Sequence, residues 1–176
     1  MFGGGDYQLF EEVVQAVDYW IPSKEYNHES KFQNELQEFL DNELNANSGG
    51  IMGMGGGGRD RVVERESGRA RADVVVDQTV GIEMKRELSN SQTKKLRGQI
   101  EEYLDEYPYV IICACGIQDM DGWRRLKNKY SGGGMGLGMD TGEVVFIEKD
   151  PANYGQESRQ RSNTGRDHDP FSDLGF

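Results

Sequence analysis

Residues 71–87 read Arg-Ala-Asp-Val-Val-Val-Asp-Gln-Thr-Val-Gly-Ile-Glu-Met-Lys-Arg-Glu, two short strands joined by a tight turn. Val74, Val75, Val76, Val80 and Ile82 are β-branched and suit a pleated surface, and Asp77, Gln78 and Thr79 interrupt them with turn-compatible polar residues. A hairpin folded about Gln78 sets Asp73 opposite Glu83. Side chains alternate between the faces of a strand, so Asp73, Glu83 and Lys85 share one face while Val74, Val76, Ile82 and Met84 share the other. Two carboxylates and one ammonium therefore converge.

Directly opposed anions repel, and a protein that builds such a pair usually neutralises it with a cation. Hard oxygen ligands in a small cluster suit Mg²⁺ or Mn²⁺, which binds through one or two carboxylates and takes substrate phosphates beside them. The arrangement points to phosphoryl chemistry. There the metal activates water and stabilises the charge on the reacting oxygens, and a nearby lysine positions or helps to activate the water.

The run Asp73, nine residues, then Glu83-Met84-Lys85 resembles the motif of the PD-(D/E)XK nuclease superfamily, which includes many restriction enzymes, archaeal Holliday-junction resolvases and RecB-type nucleases. The proline that usually precedes the aspartate is Ala72 here. Gln99 and Tyr103 match the Gln-x-x-x-Tyr motif that RecB-like members carry on the helix after the Glu-x-Lys strand; four residues apart, they stack one turn above the other. The resemblance implies an α/β, restriction-endonuclease-like fold with a mixed central sheet flanked by helices. It also implies a metal-dependent DNA nuclease in which Asp73, Glu83 and the backbone carbonyl of Met84 hold Mg²⁺ or Mn²⁺, Lys85 orients or deprotonates water, and Gln99 and Tyr103 place the DNA strand or hold the catalytic lysine.

A glutamate on the helix before the hairpin completes the metal site in resolvase-like members. Glu29 lies three residues before Phe32 and seven before Leu36, on the apolar stripe of a helix expected up to about Leu44, and is the candidate outer ligand; Glu35, beside the same stripe, is the alternative. His28 stands where some RecB-like enzymes use an extra histidine ligand, although a histidine at a helix start is commonly a surface group.

The net charge of −11 sits awkwardly with DNA binding, which depends on Lys and Arg. The distribution eases the difficulty: residues 51–100 carry ten Lys and Arg against seven Asp and Glu, whereas residues 1–50 carry two against ten. Arg59, Arg61, Arg65, Arg69 and Arg71 alternate towards the hairpin and can hold phosphates bidentately or pair with Glu64 and Glu66; Lys94 and Lys95 begin the next helix, where a bound phosphate would offset their opposition to the helix dipole. Arg69, Arg71, Lys94 and Lys95 are the candidate DNA contacts with Gln99 and Tyr103. Acidity elsewhere is compatible with the salt-rich cytoplasm of a salt-adapted organism or its virus, where ions screen repulsion.

With 176 residues, the chain suits one domain with a modest core. Residues 1–24 read as a docking helix or arm, 25–150 as the nuclease domain, and 151–176 as a flexible tail; the Gly- and Met-rich residues 48–58 predict a mobile loop, and 132–138 a second. Tyr109 to Cys115 is a continuous apolar run, as for a strand covered on both faces, with Cys113 and Cys115 as buried thiols because a lone Cys-x-Cys makes no zinc site. Neither a membrane span nor a signal peptide is legible, so an intracellular, cytoplasmic protein is expected. DNA is the expected partner, and resolvase-like members commonly act as homodimers. The alternatives are a catalytically inactive nucleic-acid- or protein-binding module on the same fold, and an acidic structural protein with a chance acid-x-Lys.

Overall fold

The computed structural model describes residues 4–46, 60–67, 71–131 and 142–156. The chain is α/β. A five-stranded mixed sheet is formed by β1 (Val63–Ser67), β2 (Ala72–Val76), β3 (Val80–Leu88), β4 (Tyr109–Ile117) and β5 (Glu143–Lys149), lying in that order. The first three strands form an antiparallel meander; β4 and β5 continue the sheet parallel to β3. Four helices flank it: α1 (Gly4–Tyr19), α2 (Glu29–Asn45), α3 (Asn90–Glu106) and α4 (Met120–Ser131).

The period-two pattern of the hairpin divides the core. Val74, Val76, Val80, Ile82 and Met84 pack with Ile111, Cys113 and Cys115 beneath α1 and α2. Val75, Val110, Ile112 and Ala114 face α3 and α4, where Leu96, Ile100, Tyr103, Trp123 and Leu126 are buried. Residues Tyr109 to Cys115 are all buried, because helices cover both faces of this strand. Both cysteines are free and buried within it.

The hairpin has the expected register, with Val74 opposite Ile82, Val75 opposite Gly81 and Val76 opposite Val80. Its turn places Asp77 and Gln78 at φ of 49° and 54°, and Thr79 N donates to the Val76 carbonyl at 2.9 Å. Positive φ at both central positions matches the twist of the flanking strands, and an aspartate tolerates it better than most residues. The Asp77 carboxylate also accepts from Val62 N at 2.8 Å and Arg61 Nη1 at 3.0 Å, fixing the approach to β1.

The N-terminal segment expected as a docking helix or arm forms the helix α1, whose Leu9, Phe10, Val13, Ala16 and Val17, followed by Trp20, belong to the same core cluster as α2 and the sheet. At the other end, Pro151–Asn153 form a 3₁₀ turn, Tyr154 packs on that cluster and Gly155 N donates to the Pro22 carbonyl at 2.9 Å; the stretch expected to be a flexible tail is therefore packed over residues 151–156. Buried Lys149 donates to the Asp18 carbonyl at 2.8 Å, so a cation meets the negative end of α1. The glycine-rich stretches 48–58 and 132–138, together with Arg59 and Arg69, lie outside the described residues, as does the chain beyond 156. No helix among the described residues is long and apolar enough to cross a membrane.

Candidate active site

The site begins where β2 and β3 part. Pairing between them runs only as far as Val74 opposite Ile82, yet β3 continues to Leu88. Alternate amides of a strand point to the same neighbour, so the edge of β3 beyond Ile82 has N–H groups that β2 does not reach. Two carboxylates take them. Asp73 Oδ2 accepts from Met84 N at 2.7 Å, and Glu29 Oε2, from the first turn of α2, accepts from Arg86 N at 2.8 Å. The need to satisfy these backbone donors brings acids from two distant segments to one strand edge.

On either side of Met84 in sequence stand Glu83 and Lys85, on the face towards α3. Glu83 is only 2% exposed, and a carboxylate buried so deeply needs partners. Lys85 Nζ is ion-paired with Glu83 Oε1, Gln99 Nε2 donates to the same oxygen at 3.1 Å, and Tyr103 OH donates to Oε2 at 2.6 Å. Gln99 and Tyr103 reach one carboxylate because α3 turns the same face to β3 every four residues; its start is fixed by the Gln92 side chain, which accepts from Ser89 N at 2.9 Å. Lys85 Nζ is also 4.0 Å from Glu29 Oε1.

Burial and neighbouring charge shift the titration of Asp73 and Lys85. Burial, followed by repulsion from Glu83, pushes the Asp73 carboxyl up to about 7, although the Met84 amide and Lys85 pull the other way. Burial lowers the pKa of Lys85, but the charge and hydrogen bond of Glu83, with Glu29 and Asp73 behind it, outweigh burial and raise it. Lys85 is thus a charged donor. Burial and the neighbouring Glu83 also hold the Tyr103 phenol protonated, well above its usual range.

Among the described residues no three or more His, Cys, Asp and Glu side chains form a metal-holding group. Glu29 is engaged with Lys85 and the Arg86 amide instead of completing a set with Asp73 and Glu83. The Asp73–Glu83 pair nevertheless has the chemistry of a Mg²⁺ site, since that ion uses one or two carboxylates and keeps its remaining waters.

No family model matches the chain, and no curated protein or solved structure matches it.

The other sequence candidates separate clearly. Glu35 lies away from the cluster: it accepts from Ser23 N at 2.7 Å and from Ser23 Oγ and Tyr26 OH, bracing the segment before α2. His28 is an exposed N-cap that makes no side-chain capping bond. Arg61 pairs with Asp77, and Arg65 donates to Asn34 and Gln33 of α2, so both arginines have partners within the protein. Arg71, Lys94 and Lys95 are exposed, and Lys95 lies one turn before Gln99 on α3. Arg86 escaped the sequence reading altogether. Its Nε donates to the Tyr26 carbonyl at 2.7 Å, a contact spanning 60 positions that local spacing does not encode.

Tyr103→Phe tests the role of α3. Removing the hydroxyl leaves Glu83 Oε2 without this donor while the ring still fills its place, so a loss of about 1–3 kcal/mol of stability is expected. Urea unfolding at pH 7 reads it; a loss under about 0.5 kcal/mol would show that Glu83 does not depend on this bond.

Proposed function

We propose that this chain is a metal-dependent nuclease that hydrolyses DNA phosphodiester bonds, built on a restriction-endonuclease-like fold. The observation that carries the reading is the hydrogen-bonding of Glu83: the lysine of the Glu-x-Lys pattern and both residues of the Gln-x-x-x-Tyr pattern converge on this one buried carboxylate. Two motifs noticed separately in sequence make one unit. The order of helix, hairpin, helix, strand, helix and strand agrees with the resemblance and supports it further.

In this reading Asp73, Glu83 and the Met84 carbonyl would hold Mg²⁺ or Mn²⁺, with Glu29 as an outer ligand. When bound, the ion lowers the pKa of water and stabilises charge on the attacking and leaving oxygens. Gln99 and Tyr103 hold the Glu83 carboxylate in one orientation, at no reorganisation cost during reaction. Lys85, kept charged by its acids, orients the attacking water by donating a hydrogen bond and meets the negative charge that grows on the phosphoryl oxygens. Buried Gln99 Oε1 has no hydrogen-bond partner and offers an acceptor to a donor held in the site. Arg71, Lys94 and Lys95 draw the DNA backbone to the one basic part of an otherwise acidic chain.

The competing reading, an inactive binding module, is favoured by one feature: both Glu83 oxygens are already engaged, and among the described residues no metal-holding group of three or more acids forms. A panel of duplex, single-stranded, flapped and four-way DNA, incubated with Mg²⁺ or Mn²⁺ at low and high salt, separates the two. Wild type is expected to cut at least one substrate, and Asp73→Ala and Lys85→Ala to lose that cutting by roughly 10²-fold or more. DNA binding without cleavage under every condition would transfer the assignment to the binding module; cleavage surviving both substitutions would place the chemistry elsewhere.

A further inference from the structure

We propose that Arg86 is a positioning residue of this site, clamping the segment that leads into α2 so that the Glu29 carboxylate stays on the edge of β3 beside Lys85. Glu29 needs such help. Its side chain is 32% exposed, its hydrogen bond to the protein is to the Arg86 amide, and the residue before it, His28, gives α2 no side-chain cap. A glutamate at a helix start with one bond and access to solvent has little to prevent it turning outward.

The restraint comes through the backbone ahead of it. Arg86 Nε donates to the Tyr26 carbonyl at 2.7 Å, and the guanidinium is itself steadied by Glu87 at 3.0 Å. Tyr26 is held at its other end by Glu35 and by Ser23 Oγ at 2.9 Å, and its ring meets Phe32 edge-on with centroids 5.0 Å apart. Residues 23–29 are thus fastened to α2 through Glu35 and to β3 through Arg86. The same residue presents its amide to Glu29 and its guanidinium to the segment that delivers Glu29. It sits next to Lys85, so displacement of the clamp is felt where Lys85 and Glu29 face each other at 4.0 Å.

The kinetic part of this inference rests on the nuclease reading, and a second measurement does not. Arg86→Gln should lower kcat about tenfold while KM for DNA stays within about twofold, because a small misplacement near the reacting groups costs rate before it costs binding. Arg86→Lys, which can still donate to the Tyr26 carbonyl, should recover part of that loss. If Arg86 acts through Glu29, adding Arg86→Gln to Glu29→Gln should reduce kcat no further; a loss that multiplies would show a separate structural effect and overturn the proposal. Hydrogen exchange at the amide of residue 86 gives the reading that needs no cleavage. Departure of Glu29 should speed that exchange about tenfold in Arg86→Gln, with amides in the middle of β4 unchanged. Unchanged exchange at residue 86 overturns the proposal even in a protein that cuts DNA, whereas a wild type that cuts nothing defeats the nuclease reading and leaves the exchange result to decide the role of Arg86.

Discussion

Asp73→Asn is expected to make the protein more stable at pH 8, by up to a few kcal/mol, and to abolish metal-dependent cleavage. The carboxyl of Asp73 is pushed from its ordinary value near 4 to about 7 by burial and by Glu83. Between these values the folded protein keeps a proton that the unfolded chain has released, so stability falls as pH rises, by at most about 1.4 kcal/mol per pH unit. The penalty is absent below about pH 4 and complete above about pH 7. Asparagine is neutral throughout and its side-chain oxygen still accepts from the Met84 amide, which removes the penalty and keeps the bond. Thermal unfolding at pH 8 should show a rise of roughly 5 °C or more over wild type, shrinking towards zero at pH 4.

Divalent cations supply the second half of this test. A cation that binds only the folded wild type raises its melting temperature by mass action, and it does so more above pH 7, where Asp73 has lost its proton. The variant should not respond. Equal stability of the two proteins at pH 8 would mean that Asp73 carries no uncompensated charge. A constant difference across pH 4–8 would assign the effect to packing. A side chain whose removal stabilises the fold while ending the activity is present for its chemistry, and an accidental acid-x-Lys pattern gives no such opposition.

The hairpin register was legible because three local signals agree: β-branched runs on either side, a polar break at Asp77 to Thr79, and a face pattern broken only by Asp73, Glu83 and Lys85. The Gln99 and Tyr103 pairing followed from helical spacing, and their distance from Glu83 required only that α3 pack on β3. What stayed hidden depends on contacts between remote segments. Nothing in the spacing of Glu29 and Glu35 says which reaches β3, since both border one stripe; the choice is made by the free amide of Arg86, 57 positions away from Glu29. Arg65 likewise looks like an exposed strand arginine until α2 supplies Gln33 and Asn34. The packed Tyr154 and the junction of Gly155 with Pro22 were obscured because a short polar stretch after a last strand has no periodicity to read.

Lys85→Met is expected to have the opposite effect on stability from Asp73→Asn. Glu83 would lose its ion partner while remaining 2% exposed, with Gln99 and Tyr103 left as its donors among the described residues. Stranding a buried charge costs about 3–5 kcal/mol. Lys85→Arg separates charge from position. Arginine keeps a cation beside Glu83, but its planar fork cannot place a donor where the compact ammonium does, so most of the stability should return while cleavage stays low. Urea midpoints at pH 5 and pH 8, with cleavage measured where each variant remains folded, read both effects. Should Lys85→Met prove as stable as wild type at pH 8, the ion pair with Glu83 would not be what holds the carboxylate inside, and the assignment of Lys85 as a charged donor to the reaction would fall with it. Should Lys85→Arg cut DNA as fast as wild type, position would be irrelevant and a general positive charge would suffice. Glu83 and Lys85 stand two positions apart on β3, and a further acid arrives from α2, which argues for the stricter requirement: the Lys85 ammonium is ion-paired with Glu83 while lying 4.0 Å from Glu29, and the planar fork of arginine does not reproduce that compact point charge.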